Sequence, residues 1–203
     1  MNSRKSVPEI TPMSDTGDRR QFFRQSFRSI MKPLAEFLAE RMNLDEPVRR
    51  TLLRPPGAIP EAEFLDVCYR CGNCVEDCPA DAIKLYSSTD DNLNRTPIID
   101  PDIGACVVCD ELACMKACPS GALQLVDSPA DIRMGLAVVD HSVCVRTTGE
   151  DCTECITLCP MGDSAIRLNA AGQVEVLDPG CVGCGVCQFH CPTDPKAITV
   201  LPR

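Results

Sequence analysis

The chain has 203 residues, of which 44% are hydrophobic and 4% aromatic, and its net charge is −9. This length suits one or two domains, and the hydrophobic content excludes a chain that is disordered throughout. The acidic charge disfavours nucleic-acid binding, because nucleic-acid phosphates would be repelled.

The charge is unevenly distributed along the chain. Residues 1–60 contain 11 Lys and Arg against 7 Asp and Glu, a net charge of +4, whereas residues 61–203 contain 9 against 22, a net charge of −13. The acidic part favours a basic protein partner, because opposite charges steer an encounter. An acidic surface that is only solvated is the alternative.

The first residues carry few structural signals. Residues 1–18 are polar and contain two prolines, so we expect a disordered tail. Residues 19–24 then match the charged and aromatic positions of a twin-arginine export signal. Charged residues interrupt the apolar stretch that such a signal needs, and no small-residue cleavage site follows. We therefore expect a cytoplasmic protein, with periplasmic export as the less favoured alternative.

Residues 19–44 have apolar side chains at three- and four-residue steps, which predicts an amphipathic helical segment. Phe22, Phe23, Phe27 and Phe37 alternate there with basic residues. This pattern suits a membrane surface or a groove on a membrane-bound partner, and packing on the chain's own cysteine-rich part is the alternative. No apolar run approaches the length of a membrane span.

The sixteen cysteines dominate the remainder of the chain, and all of them fall into four quartets, each followed by a proline. The quartets are Cys68, Cys71, Cys74 and Cys78; Cys106, Cys109, Cys114 and Cys118; Cys144, Cys152, Cys155 and Cys159; and Cys181, Cys184, Cys187 and Cys191. The first and fourth have the spacing of bacterial ferredoxins, and the second and third each have one lengthened gap. We predict that all sixteen are ligands of four 4Fe-4S clusters, with zinc and disulfides as weaker alternatives.

The segments around the quartets predict the fold. Residues 45–60 contain four prolines and are interpreted as a stiff linker, after which residues 61–203 form the cluster domain. Short alternating segments at 82–85, 122–125, 165–168 and 197–200 follow the quartets, and others at 98–100, 138–140 and 176–178 precede them. Their alternation predicts half-buried strands. The expected fold class is α+β, with two ferredoxin-like modules and an N-terminal helical extension.

The pairing of the quartets decides which clusters are neighbours, because the fourth cysteine of one quartet joins the cluster of its partner. The outer quartets share one spacing and the inner ones each have a stretched gap, which favours a nested pairing. Nesting would place Cys191 with Cys68, Cys71 and Cys74, and Cys118 with Cys144, Cys152 and Cys155. Sequential pairing, of the first quartet with the second and the third with the fourth, is the alternative.

Four ligands for each of four clusters leave no iron open to a substrate. The chain has no dinucleotide-binding or P-loop motif of the usual kinds. We therefore expect an electron carrier without a small-molecule substrate, and not an enzyme. The alternative from a different class is an iron-sulfur redox sensor or an assembly protein that binds a partner.

A set of residues and motifs spread over residues 54–203 carries a family resemblance. The set comprises Arg54 to Ala58, Phe64, Cys68, Arg70 to Gly72, Cys106 to Ala122, the long gap from Cys144 to Cys152, and Cys181 to Gly185, Ala197, Ile198, Leu201 and Pro202. In these features the chain resembles the NapG/MauM type of four-cluster ferredoxin. That family is associated with periplasmic nitrate reductase and methylamine utilisation. The resemblance implies an electron carrier between a membrane quinol-oxidising ferredoxin and a downstream reductase or cytochrome.

Overall fold

The structure is a computed structural model that describes residues 52–203. The predicted disordered tail (1–18), the predicted amphipathic helical segment (19–44) and the start of the predicted linker lie outside the described residues. Within the described part, no helix has both the length and the apolar character needed to cross a membrane.

Residues 52–203 contain six short strands, which form three antiparallel pairs. The strands are β1 (Ile83–Leu85), β2 (Pro97–Ile99), β3 (Gly135–Val139), β4 (Ile166–Leu168), β5 (Val174–Val176) and β6 (Ile198–Pro202). Strand β1 pairs with β2, β4 with β5, and β3 with β6. Alternation along these strands buries one side of each pair, and the buried residues include Ile83, Ile99, Ile166, Val174 and Ile198.

The strand predicted at residues 122–125 does not form, unlike the other predicted strands. Only an isolated bridge forms there, between Leu123 and Ala58. Hydrogen bonds extend the contact on either side, from the Ile59 N–H to the Ala122 carbonyl (3.1 Å) and from the Gln124 N–H to the Gly57 carbonyl (2.8 Å). The partner segment follows two prolines, which lack the N–H that a longer ladder would need.

The helices are short, and four of them belong to the cysteine loops. They are α1 (Glu61–Val67), α2 (Asn73–Glu76), α3 (Ala113–Lys116), α4 (Glu154–Thr157) and α5 (Val186–Phe189). Each helix from α2 to α5 is a single turn that contains the third cysteine of a quartet. The described part of the chain also has 3₁₀ turns at Pro129–Asp131, Val145–Thr148 and Gly162–Ser164. The predicted mixture of helix and strand is confirmed.

The interpretation of residues 45–60 as a linker is wrong for the part that the structure describes. The Arg54 side chain is 0% exposed. Its guanidinium donates to the Glu61 carboxylate (3.1 Å from Nε) and to Thr96 Oγ1 (2.8 Å), and it lies over the Phe64 ring. A buried guanidinium needs partners of this kind, and their presence fixes the segment within the fold. The cluster domain therefore begins before Glu61, because residues 53–60 supply part of its core.

The buried side chains form two cores. The first contains Phe64, Ile83, Ile99 and Met134 together with cysteines of the first two quartets. The second contains Ile166, Val174 and Ile198 together with cysteines of the last two. Val182, Cys184 and Val186, from the loop of the fourth quartet, belong to the first core. The loop of the fourth quartet therefore packs against the part of the chain that carries the second quartet.

Candidate metal centres

Antiparallel pairing of the strands determines which quartets meet. In the pair β1–β2, Ile83 lies opposite Ile99. Cys78 lies just before β1 and Cys106 just after β2, so both are at the same end of the pair. The pair β4–β5 repeats this arrangement, with Cys159 before β4 and Cys181 after β5.

In the other two antiparallel contacts, the cysteines lie after the earlier segment and before the later one. Val139 at the end of β3 lies opposite Ile198 at the start of β6, so Cys144, after β3, meets Cys191, before β6. The bridge between Ala58 and Leu123 does the same for Cys68, which follows Ala58, and Cys118, which precedes Leu123. Each of the four antiparallel contacts therefore has a group of cysteines at one end.

The groups define four sites, each with three cysteines of one quartet and the last cysteine of another. Site 1 is Cys68, Cys71, Cys74 and Cys118; site 2 is Cys106, Cys109, Cys114 and Cys78; site 3 is Cys144, Cys152, Cys155 and Cys191; site 4 is Cys181, Cys184, Cys187 and Cys159. The four cysteines of site 2 line one pocket together. Those of site 3 line a second pocket, and those of site 4 line a third.

The thiols of site 1 perturb one another's ionisation. Burial raises the pKa of Cys74 to about 12, and Cys68, Cys118 and Cys71 add to the rise. Burial also raises the pKa of Cys68, against the lowering effect of Arg70, and Cys118 and Cys71 raise it further. Neighbouring thiolates have this effect because like charges disfavour ionisation. Cys118 is therefore a close neighbour of the first quartet.

Site 2 shows the same mutual effect. Burial raises the pKa of Cys114 to about 12, and Cys106, Cys109, Cys78 and then Cys74 add to the rise. Burial also raises the pKa of Cys106 to about 11, and Cys78 and Cys109 contribute after a lowering by the Val108 N–H.

Sites 3 and 4 follow the same rule. Burial raises the pKa of Cys155 to about 11, with further contributions from Cys152, Cys144 and Cys191. At site 4, burial raises the pKa of Cys184 to about 12, the Val186 N–H lowers it, and Cys159, Cys106 and Cys181 raise it further.

These neighbours contradict the nested pairing. Nesting requires Cys191 beside Cys68 and Cys118 beside Cys144, whereas Cys118 lies with Cys68 and Cys74, and Cys191 lies with Cys155. The physical reason is the short hairpin between consecutive quartets. Strands β1 and β2 form a hairpin that returns the chain from Cys78 to Cys106. The hairpin holds Cys78 beside the second quartet, so Cys78 is not available to the fourth. The equal cysteine spacing of the first and fourth quartets shows that their loops have a similar shape. It does not show that the two loops lie next to each other in the fold.

Sequence reasoning missed two hydroxyl groups. Ser120 Oγ lies 3.5 Å from Cys118 Sγ, and Thr193 Oγ1 lies 3.2 Å from Cys191 Sγ. Burial alone would raise the pKa of both thiols, but the hydrogen bonds from Ser120 and Thr193 and from nearby backbone groups lower it. The signal in the sequence is a Ser or Thr two residues after the last cysteine of a quartet.

Arg70 is a second feature that the sequence did not reveal. Its Nη2 donates to the Asn92 carbonyl (2.8 Å) and its Nη1 to the Cys68 carbonyl (3.4 Å). The guanidinium lies close enough to Cys68 to counteract the rise in pKa of that thiol. A fixed positive charge therefore lies beside site 1.

The donor set fits a polynuclear iron-sulfur group better than a single ion. Tetrahedral zinc holds each sulfur at about 2.3 Å, which draws four thiolates together around one atom. In residues 52–203, no group of three or more His, Cys, Asp or Glu side chains is arranged to hold a single metal ion. Four thiols that line one mostly apolar pocket are instead the protein ligands that a 4Fe-4S cube requires. A bound metal would also favour the thiolate form that burial opposes.

Comparisons with known proteins agree with this donor set. Residues 67–122, which include the whole of the first two quartets, match a family model described as a 4Fe-4S dicluster domain. The methylamine utilization ferredoxin-type protein MauM of Methylobacillus flagellatus is 38% identical, and the alignment covers 100% of this chain and 89% of the relative. MauM of Methylophilus methylotrophus is 39% identical over 92% of this chain and 87% of the relative.

A second group of relatives has a different name. The ferredoxin-type protein NapG of Escherichia coli is 40% identical, and the alignment covers 74% of this chain and 70% of the relative. The resemblance noted from the sequence is thus confirmed, and with it the iron-sulfur and ferredoxin character of the chain. The chain belongs to the family of ferredoxin-type electron-transfer proteins that includes MauM and NapG.

Proposed function

We propose that the chain holds four 4Fe-4S clusters, one at each of sites 1 to 4, and relays electrons between redox proteins. The observation that carries this proposal is the convergence of four thiols on one cavity at sites 2, 3 and 4. A 4Fe-4S cluster, when bound, supplies a one-electron couple. All sixteen thiols are used in this assignment, so no site is left with an open position for a substrate.

The chain's own residues have three tasks in this function. The thiols hold the cluster, and the mostly apolar lining of each cavity excludes water. Backbone N–H groups also point at sulfur, from Val108 to Cys106 Sγ and from Leu123 to Cys118 Sγ, both at 3.4 Å. Hydrogen bonds to sulfur are one of the means by which proteins tune the potential of a cluster.

The sites divide into two ferredoxin-like modules in this proposal. Sites 1 and 2 exchange their last cysteines within the first module, and sites 3 and 4 do so within the second. The match to a dicluster family model over residues 67–122 supports the first of these modules. The second rests on the equivalent strand pairing around β4 and β5.

The partners that we propose are redox proteins. The relatives' names connect MauM with methylamine utilization, and the resemblance to NapG and MauM suggests a membrane quinol-oxidising donor and a reductase or cytochrome as acceptor. The net charge of −13 over residues 61–203 supports a partner with a basic docking surface.

The test is a metal and redox analysis of protein purified without oxygen. We expect about sixteen iron and sixteen sulfide atoms per chain, with a brown absorption that bleaches reversibly on reduction. Cys109→Ala, which removes a ligand of site 2, should hold about four iron atoms fewer. Ser164→Ala should match the parent protein, because its hydroxyl bonds only to the Met161 carbonyl.

Two results would contradict the proposal. Zinc in place of iron, or about eight iron atoms at full loading, would exclude four 4Fe-4S clusters. Release of a bound partner on cluster oxidation, without electron transfer to that partner, would favour a redox sensor instead.

A further inference from the structure

The loops of the second and fourth quartets meet in a close backbone contact. The Cys106 N–H donates to the Cys184 carbonyl at 2.9 Å, which joins a ligand of site 2 directly to a ligand of site 4. Gly185 follows with a φ of +87°, and a Cβ at that position would lie 3.0 Å from the Pro101 side chain. An added side chain would therefore require Pro101, which precedes the loop of the second quartet, to move by a few tenths of an ångström.

A buried amide side chain holds this junction in place. Gln188 is 8% exposed. Its Nε2 donates to Asp102 Oδ1 at 2.9 Å, and its Oε1 accepts from the Val200 N–H at 2.8 Å. One side chain thus connects helix α5, which carries Cys187, to the loop before the second quartet and to strand β6.

Within each pair of quartets, the two cysteine helices pack together. Helix α2 contacts α3, and helix α4 contacts α5. These contacts bring Cys74 of site 1 towards Cys114 of site 2, and Cys155 of site 3 towards Cys187 of site 4. Site 1 is therefore next to site 2, and site 3 is next to site 4.

We propose that the four sites form one row in the order site 1, site 2, site 4, site 3, joined at its middle by the contact between Cys106 and Cys184. This inference rests on the proposed function. It differs from the order along the chain, in which site 3 would follow site 2. One electron given up by a donor at one end of the row reduces an acceptor at the other end by one electron, and it crosses between the two halves at the Cys106–Cys184 contact.

The order can be tested with two variants of the same quartet. Cys152→Ala removes a ligand of site 3, at the end of the row, whereas Cys159→Ala removes a ligand of site 4, in its interior. Each should lower the iron content from about sixteen to about twelve atoms. Both variants are reduced fully and examined by electron paramagnetic resonance, in which neighbouring reduced clusters broaden one another's signals.

The row predicts opposite spectra for the two variants. Loss of site 4 isolates site 3, so Cys159→Ala should give a narrow, non-interacting signal that accounts for about one third of the remaining spin. Loss of site 3 leaves sites 1, 2 and 4 contiguous, so Cys152→Ala should show only broadened signals. If a variant keeps three iron atoms at the altered site or does not fold, Cys181→Ser for site 4 and Cys144→Ser for site 3 replace them.

The opposite pattern, a narrow signal in Cys152→Ala and none in Cys159→Ala, would establish the chain order and overturn the row. A narrow signal in neither variant or in both would overturn it too, because the sites would then form a compact group or be separate throughout. Parent protein without about sixteen iron atoms would instead be a failure of the proposed function, and iron analysis separates that result before any spectrum is interpreted.

Discussion

Ser120 and Thr193 each hold a hydroxyl group beside the last thiol of a quartet. Each hydroxyl oxygen also accepts a backbone hydrogen bond, from the Ala122 N–H (3.3 Å) and the Ala197 N–H (2.8 Å) respectively. With the oxygen engaged as an acceptor, the O–H is directed to donate to sulfur. The equivalent residues after the first and third quartets are Ala80 and Met161, which have no hydroxyl. Sites 1 and 3 therefore receive a donor of a kind that sites 2 and 4 lack.

We expect Ser120→Ala and Thr193→Val each to lower the reduction potential of a single site. A hydrogen bond to a ligand sulfur stabilises the reduced cluster, which carries more negative charge, so removing the bond favours the oxidised form. An anaerobic redox titration followed by electron paramagnetic resonance measures the shift. The iron content should stay the same, and Ser164→Ala serves as the control. A shift of all four components together, or of none, would show that these hydroxyls do not act on individual sites.

The spacing of the cysteines predicts sixteen ligands, because a loop that closes on a cube imposes a fixed repeat. What the structure adds is that these thiols meet in groups of four, with surroundings that the spacing does not predict. The sequence could not identify Arg70 as the neighbour of Cys68, because the position of that guanidinium depends on the Asn92 carbonyl, which lies 22 residues further along the chain.

At the scale of elements, the segment before helix α1 closes the first core. Gly57 has a φ of +77°, and a Cβ there would lie 2.2 Å from the Gln124 carbonyl oxygen and 2.9 Å from Met115 Sδ. Only glycine allows the segment to approach residues 122–124 this closely. The contact lies beside the Ala58–Leu123 bridge, at one end of which Cys68 and Cys118 of site 1 meet.

Gly57→Ala should therefore lower the thermal stability of the loaded protein. The substitution combines roughly 1–2 kcal/mol for a left-handed backbone with roughly 1–3 kcal/mol for overpacking. Gly172→Ala is a matched control, because Gly172 has a φ of +74° but no atom within 4 Å of the added Cβ. The measurement is the temperature at which the cluster absorbance is lost. Equal losses in the two variants would mean that backbone conformation alone matters and that the close approach does not.

Strand prediction succeeded where both partners were regular and failed where one was not. Residues 83–85 and 166–168 follow the predicted alternation and form β1 and β4. Residues 122–125 have the same pattern, but their partner contains Pro55 and Pro56 and provides only one bridge. The prediction of a nested pairing of the quartets failed for a related reason. It depends on which strands meet, and alternation within one strand does not specify its partner.

At the scale of the whole molecule, the proposed clusters would complete both cores. Cysteines belong to each core, together with apolar side chains such as Phe64 and Ile166. Only 4% of the chain is aromatic, and Trp is absent. Without iron, the thiols of each site would surround a space that no side chain fills, and the contacts between the paired loops would be lost.

Removal of iron should therefore unfold the cluster domain. We expect anaerobic treatment with a chelator and a reductant to abolish the far-ultraviolet circular dichroism of residues 52–203 and to make this part sensitive to protease. Reconstitution with iron and sulfide should restore both properties. An iron-free chain that keeps its protease resistance would show that the apolar cores are sufficient without the clusters.

In the proposed arrangement, neighbouring quartets exchange their last cysteines, which has a consequence for the history of such genes. A segment with one quartet encodes three ligands of one site and one ligand of another, so gaining or losing it leaves incomplete sites behind. A segment with two consecutive quartets, such as residues 53–125, encodes two complete sites. Duplication, deletion and recombination would therefore leave every site complete only in steps of two quartets. We expect chains built by this route to carry an even number of quartets.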